Sequence, residues 1–147
     1  MAYNNRKTKH GQRGFTLIEL LVVLVILGLL AGLVGPQILR YLGSAKSDTA
    51  QLQIAELGAG LDLFHLEVGR YPTTDEGLAA LVEEPTGVNN WNGPYLKKKT
   101  VPKDPWGNEF VYLSPGLQGD FDIISYGADG VPGGEEENKD INNWEIE

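Results

Sequence analysis

Cysteine is absent from this sequence, and histidine occurs only twice, at His10 and His65. Without cysteine there is neither a thiol nucleophile nor a disulfide, and the ligand spacings of a structural zinc site are missing as well. No glycine-rich phosphate loop of the P-loop form occurs. His65 falls on a long amphipathic segment, where an imidazole is more often a packing or surface group than a catalytic one. Asp120 and Asp122 share a strand face, as many solvated pairs do. No constellation for an enzyme emerges.

Basic residues are scarce over most of the chain. The whole carries 12 Lys and Arg against 20 Asp and Glu. Four of the basic residues, Arg6, Lys7, Lys9 and Arg13, stand in residues 1–14, where no acid occurs. The 133 residues that follow hold 8 basic and 20 acidic side chains, a net charge of −12. So acidic a surface lacks the cations that neutralise phosphates, which sets nucleic-acid binding aside. The Lys97-Lys98-Lys99 run reads as a solvated patch that acidic neighbours can use.

Polar groups are nearly missing from residues 15–35. Residues 20–35 are all Leu, Val, Ile, Ala or Gly, and only Thr16 and Glu19 interrupt the stretch before them. As a helix the 21 residues measure roughly 32 Å, enough to cross the hydrocarbon core of a bilayer. The basic residues all precede it, which keeps the N-terminus in the cytoplasm and exports the rest. In a bacterial cell the remainder is then periplasmic. A cleaved secretory signal would need a shorter apolar core followed by an A-x-A-like site, and neither is present.

Glu19 is the informative residue. A carboxylate in such a span costs about 2.5–3.5 kcal/mol on insertion scales and normally marks a function with a partner. No Lys or Arg in the span can pair with it. It either sits protonated or snorkels to the interface, or it meets a cation from elsewhere. A free α-amino group would serve, and cutting between Gly14 and Phe15 creates one. Further on, Gly28 and Gly32 form a GxxxG, which lets helices approach closely in lipid. Pro36 removes a helix hydrogen bond and predicts a soft or kinked point.

Past Pro36 the pattern turns amphipathic. Leu42, Ala45, Thr49, Leu52, Ala55, Ala59, Leu63 and Leu66 recur at helical spacing, with Leu57, Leu61, Phe64 and Val68 as an adjoining row. One helix is expected from Phe15 to about Val68, its second half covered by a small head, with Gly69 as its stop. Thr73 and Glu76 have the spacing of a capping box for a second helical element that Pro85 closes. Residues 86–108 read as loop, with Tyr95 and Trp106 packing inward. Residues 109–113 and 121–126 read as an antiparallel strand pair. The order predicts an α+β fold, a long N-terminal helix against a small antiparallel sheet. About 105 residues after Leu42 must build that head without a disulfide, so its core is thin.

The run Arg13-Gly14-Phe15-Thr16-Leu17-Ile18-Glu19 resembles the class III signal of type IV pilin-like proteins. The blocks Gly69-Arg70-Tyr71-Pro72-Thr73-Thr74-Asp75-Glu76-Gly77-Leu78, Gly93-Pro94-Tyr95-Leu96 and Pro102-Lys103-Asp104-Pro105-Trp106-Gly107 are similar to the major pseudopilins of type II secretion systems. Leu113-Ser114-Pro115-Gly116 and Asp122-Ile123-Ile124-Ser125-Tyr126-Gly127-Ala128-Asp129-Gly130 extend the match over nearly the whole chain. The resemblance implies a cytoplasmic leader of residues 1–14, a transmembrane and filament-core helix of residues 15–41, and a periplasmic head of residues 42–147. It implies cleavage after Gly14 and methylation of Phe15 by a prepilin peptidase. Glu19, Gly28, Gly32 and Pro36 become assembly residues, with Glu19 attracting the N-terminus of a neighbouring copy.

The implied function is structural: a subunit of a periplasmic pseudopilus that helps folded proteins cross the outer membrane. The implied partners are further copies of the chain, minor pseudopilins, an inner-membrane assembly platform, a cytoplasmic ATPase and an outer-membrane secretin. A major type IV pilin is the alternative, against which stand the missing cysteines. A monomeric membrane-anchored binding module would have no use for Glu19 or a cleavage sequence.

The C-terminal residues hold Asp129, Glu135, Glu136, Glu137, Asn138 and Asp140 among glycines. Hard oxygen donors on a flexible loop suit Ca²⁺, while a solvated acidic tail has the same composition. The resemblance implies a calcium site here, with side chains of Asp129 and Asp140 and carbonyls of Tyr126 and Val131 as ligands. Lys139 stands where relatives can carry an acid, which leaves the remaining donor to Asn138 or Glu137.

Overall fold

The computed structural model describes residues 14–146. The leader side chains Arg6, Lys7, Lys9 and Arg13 lie outside the described residues. Contacts divide the chain into a first unit ending at Leu39 and a second running from Arg40 to Glu147. Helix α1, Leu17–Val68, contributes to both and contains Pro36 without ending there. It stops where Gly69 turns to φ 87°, with the Gly69 N–H bonded to the His65 carbonyl at 2.8 Å.

Within the second unit, α1 buries Ala50, Ile54, Leu57, Leu61 and Phe64, a stripe at alternating spacings of four and three. Of the two apolar rows expected on the helix, Leu57, Leu61 and Phe64 are buried and Val68 half-buried, whereas Leu42, Ala45, Thr49, Leu52, Ala55, Ala59, Leu63 and Leu66 are exposed. The reason lies in small residues. Gly43 and Gly60 also sit on the buried face, and a Cβ at Gly60 would stand 3.2 Å from Leu96 Cδ2. The head approaches α1 most closely where side chains are shortest, and a pattern of large apolar residues does not reveal such a face.

Thr73 and Glu76 do form the capping box. The Glu76 N–H donates to Thr73 Oγ1 at 3.2 Å and the Thr73 N–H to Glu76 Oε2 at 2.8 Å. No α-helix follows, however. Gly77 takes φ 61°, a left-handed conformation that stops propagation, and only a short 3-10 turn, Leu78–Leu81, comes after it. Leu78, Ala80 and Leu81 are nevertheless buried in the core, joined by Val88 and Leu96. Tyr95 and Trp106 pack against that core as expected.

The sheet has three antiparallel strands in the order β1 (Val111–Leu113), β2 (Asp122–Ser125) and β3 (Ile141–Asn142). Tyr112 pairs with Ile123 and Ser125 with Ile141. Phe110, Tyr112, Ile123 and Ile141 join the α1 stripe in one core. The third strand is absent from the sequence reading, because two residues between Asp140 and Asn143 carry no strand periodicity. Asn143 extends it with its side chain, accepting the Ile123 N–H at 2.7 Å and donating to the Phe121 carbonyl at 3.1 Å. Asp122 is not a solvated strand residue either. It is buried, and its carboxylate accepts the Leu117 N–H at 2.7 Å, closing the turn before β2.

Two measurements check this packing. Phe64 is 0% exposed and Leu66 79%, so Phe64→Ala should cost about 3–5 kcal/mol in denaturant melts, whereas Leu66→Ala should change stability by no more than about 0.5 kcal/mol. The second concerns acid. Glu76 receives both Arg70 guanidinium nitrogens, at 2.6 and 2.7 Å, and these bonds above all hold its pKa at about 2 against an ordinary 4.5. A depressed carboxylate stabilises the fold above its unfolded pKa and loses that contribution as pH falls through the folded one. Glu76→Gln should therefore melt below wild type at neutral pH. The gap should narrow from about pH 4.5 downward and close near pH 2.

Candidate assembly segment and cation-binding loop

Gly14 is exposed and Phe15 is 83% exposed, as are the large apolar side chains along the first half of α1. An 18-residue window of this helix has mean hydropathy 3.0, with none of it buried. Nothing within the described chain covers the segment. The structure thus places Gly14, Phe15, Glu19, Gly28, Gly32 and Pro36 along one uncovered apolar helix and its approach.

Glu19 is not without partners in its own chain. The Thr16 N–H and the Thr16 hydroxyl both donate to Glu19 Oε2, at 2.8 and 3.0 Å, and the Glu19 N–H donates back to Thr16 Oγ1 at 3.2 Å. This is a second capping box, which explains why α1 begins at Leu17. Its Thr-x-x-Glu spacing was there to be read in the sequence, as it was at Thr73. What Glu19 lacks is a counter-charge: among the described residues the one ion pair is Arg70 with Glu76. Both Thr16 bonds fall on the same oxygen.

Gly28 and Gly32 have no intrachain reason to be glycine. A Cβ at either would meet nothing within 4 Å, although each glycine weakens a helix by about 1 kcal/mol relative to Ala. Gly43 is different. A Cβ there would collide with the Glu137 side chain, so that carboxylate lies over α1.

The acidic loop connects β2 to β3, so both of its ends are tied into the sheet. Gly127 takes φ 66°, and a Cβ on it would lie 2.6 Å from the Glu137 carbonyl oxygen. Gly134 approaches the Asn138 carbonyl in the same way, with a Cβ distance of 2.5 Å. Glycine at these two positions lets residues 127 and 134 pack main chain to main chain on residues 137 and 138. The Ala128 N–H closes the weave on the Glu137 carbonyl at 2.8 Å.

Two of the expected ligands face the same turn. Asp129 Oδ1 accepts the Val131 N–H at 3.2 Å, and both Asp140 oxygens accept the Gly133 N–H at 3.0 Å. Among the described residues no group of three or more His, Cys, Asp or Glu side chains gathers to hold a metal. A cation here would have two carboxylates with lone pairs to spare and main-chain carbonyls to draw on, those of Tyr126, Val131 and Asn138 belonging to the same loop. Such a set fits a hard cation, and calcium would supply charge neutralisation and cross-linking of the loop rather than chemistry. The alternative donor Glu137 has its side chain over Gly43 and its carbonyl engaged by Ala128.

Comparisons with known proteins identify the family of the chain. The model described as "Type II secretion system (T2SS), protein G" matches residues 37–144. That of the prokaryotic N-terminal methylation motif matches residues 9–35. The chain is 50% identical to the type II secretion system core protein G of Pseudomonas aeruginosa, covering 91% of this chain and 96% of that protein. It is 46% identical to the protein of the same name from Vibrio cholerae, covering 96% and 97%. Among solved structures, the major pseudopilin from the type 2 secretion system of enterohaemorrhagic Escherichia coli aligns with a TM-score of 0.59 at 39% identity, covering 69% of this chain and 88% of that one. A single family model across the head, full-length relatives and a shared fold leave one assignment: the chain belongs to the protein G family of type II secretion systems, the major pseudopilins.

Proposed function

We propose that this pseudopilin is anchored in the bacterial inner membrane by the first half of α1, with its head in the periplasm, and polymerises there into the pseudopilus. The fibre supports export of folded proteins across the outer membrane. Glu19 carries the reading: a carboxylate in an uncovered apolar helix that forms no ion pair among the described residues. The two Thr16 donors share one oxygen, so the other remains for a donor from a second chain. A neighbouring copy cleaved after Gly14 offers the methylated amine of Phe15, cationic at neutral pH. Gly28 and Gly32, which nothing in the chain requires, suit close packing between copies, and Pro36 gives the helix one missing hydrogen bond at which to extend.

In this role the chain meets a prepilin peptidase, an inner-membrane assembly platform driven by a cytoplasmic ATPase, minor pseudopilins and an outer-membrane secretin. It performs no reaction itself. Its head is held by calcium bound through Asp129, Asp140 and the carbonyls of Tyr126, Val131 and Asn138. The metal takes the place of the disulfide that the chain lacks, because a cation that binds only the folded loop stabilises it by mass action.

Two experiments test these readings. Glu19→Ala, expressed with the secretion machinery, should still be cleaved after Gly14 and inserted in the membrane but yield no fibres by electron microscopy. Fibres of normal length from this variant would overturn the role given to Glu19. For the head, a site filled at about 100 times its dissociation constant contributes about 2.7 kcal/mol. A chelator should accordingly lower the melting temperature by about 10 °C, and an unchanged melting curve would remove calcium from the account.

A further inference from the structure

Asp104 is only 4% exposed, and the sole ion pair among the described residues does not include it. Its carboxylate is satisfied by neutral donors. Oδ1 accepts the Trp106 N–H at 3.1 Å and the Asn108 N–H at 2.8 Å, and Oδ2 accepts the Ser125 hydroxyl at 2.7 Å. Two of these donors act again on one residue of the acidic loop. Ser125 Oγ accepts the Gly127 N–H at 3.4 Å, while Asn108 Nδ2 donates to the Gly127 carbonyl at 3.1 Å. One buried carboxylate thus holds a clamp whose two arms grip both polar groups of Gly127.

The clamp reaches one residue further. A trans peptide is planar, so its C=O and N–H point in opposite directions. The Tyr126–Gly127 bond is not among the cis bonds, and fixing the Gly127 N–H on Ser125 fixes the direction of the Tyr126 carbonyl as well. Gly127 cannot drift on its other side, where the Glu137 carbonyl lies. The geometry points to Asp104, Ser125 and Asn108 as positioning residues that aim the Tyr126 carbonyl at the cation of the acidic loop. They set the affinity of that site without touching the metal. This inference rests on the calcium reading of the loop given above.

Outer residues that orient ligands typically change metal affinity by about 10–100-fold when removed. The test is calcium titration calorimetry on the full chain in detergent, with melting curves of the same samples in chelator. Ser125→Ala and Asn108→Ala should each weaken calcium binding by about 10-fold or more. Tyr112→Phe serves as the control. It loses a buried hydrogen bond to the Pro72 carbonyl, a residue outside the acidic loop, so it should lower the melting temperature in chelator and leave calcium affinity as in wild type. If the Ser125 and Asn108 variants behave like this control, the clamp is structural only and the inference is overturned. A wild-type chain that takes up no calcium overturns the loop assignment itself, and the clamp's role with it. Wild-type uptake that survives Asp129→Ala and Asp140→Ala moves the metal elsewhere and has the same consequence.

Discussion

Burial of one narrow stripe of α1 is the interaction on which the head depends. Ala50, Ile54, Leu57, Leu61 and Phe64 are the side chains against which every other part of the core is laid: the 3-10 turn with Leu78 and Leu81, the loop residues Val88 and Leu96, and the sheet through Tyr112, Ile123 and Ile141. A three-stranded sheet with strands of two to four residues has little stability of its own. It persists because a long preformed helical face is offered to it. Small residues set how close that face can come: a Cβ at Gly60 would crowd Leu96, and one at Gly43 would collide with Glu137.

The same helix meets the opposite condition in its first half. There no side chain is covered, and apolar surface on this scale in a soluble molecule would drive aggregation. A bilayer removes that penalty, and so does a bundle of identical helices. Glu19 separates the two environments physically. In lipid its Thr16 bonds ease the cost of the carboxylate without neutralising it, since a hydroxyl and an amide N–H carry no net charge. The proposed assembly would complete the site with a cation, the amine that cleavage after Gly14 would leave on another copy.

Much of this was legible in the residues. The length of α1, its stop at Gly69, the capping box at Thr73 and the strand pair all follow from local patterns, and local patterns survive wherever tertiary contacts do not oppose them. The misses share one cause. The hydropathy pattern offered two neighbouring rows of α1 and could not decide between them, because the small residues of the buried face carry little apolar signal. The turn after Glu76 depended on a positive φ at Gly77, and β3 depended on pairing with a distant strand rather than on its own two residues. Asp122 looked solvated because nothing near it in sequence announces that the turn at Leu117 needs an acceptor. Only the Thr16–Glu19 box was a local signal left unread.

The acidic loop shows most clearly how main chain and charge divide the work of closing the head. Glycines at 127 and 134 allow a weave too tight for side chains, β3 anchors one end and β2 the other, and Glu137 folds over Gly43. None of these contacts addresses electrostatics. Residues 129–140 carry five acids against one lysine, and Asp129 and Asp140 both turn to amides of the short 131–133 segment. Both carboxylates are bonded there by neutral amides, and no ion pair among the described residues includes either. The proposed divalent cation would supply a positive charge and turn the two carboxylates into a cross-link of the loop. The remaining requirement is that the carbonyls of the loop point the right way, and a main chain free to rotate cannot meet it. Buried Asp104, through Ser125 and Asn108, restrains that rotation at Gly127 from both sides.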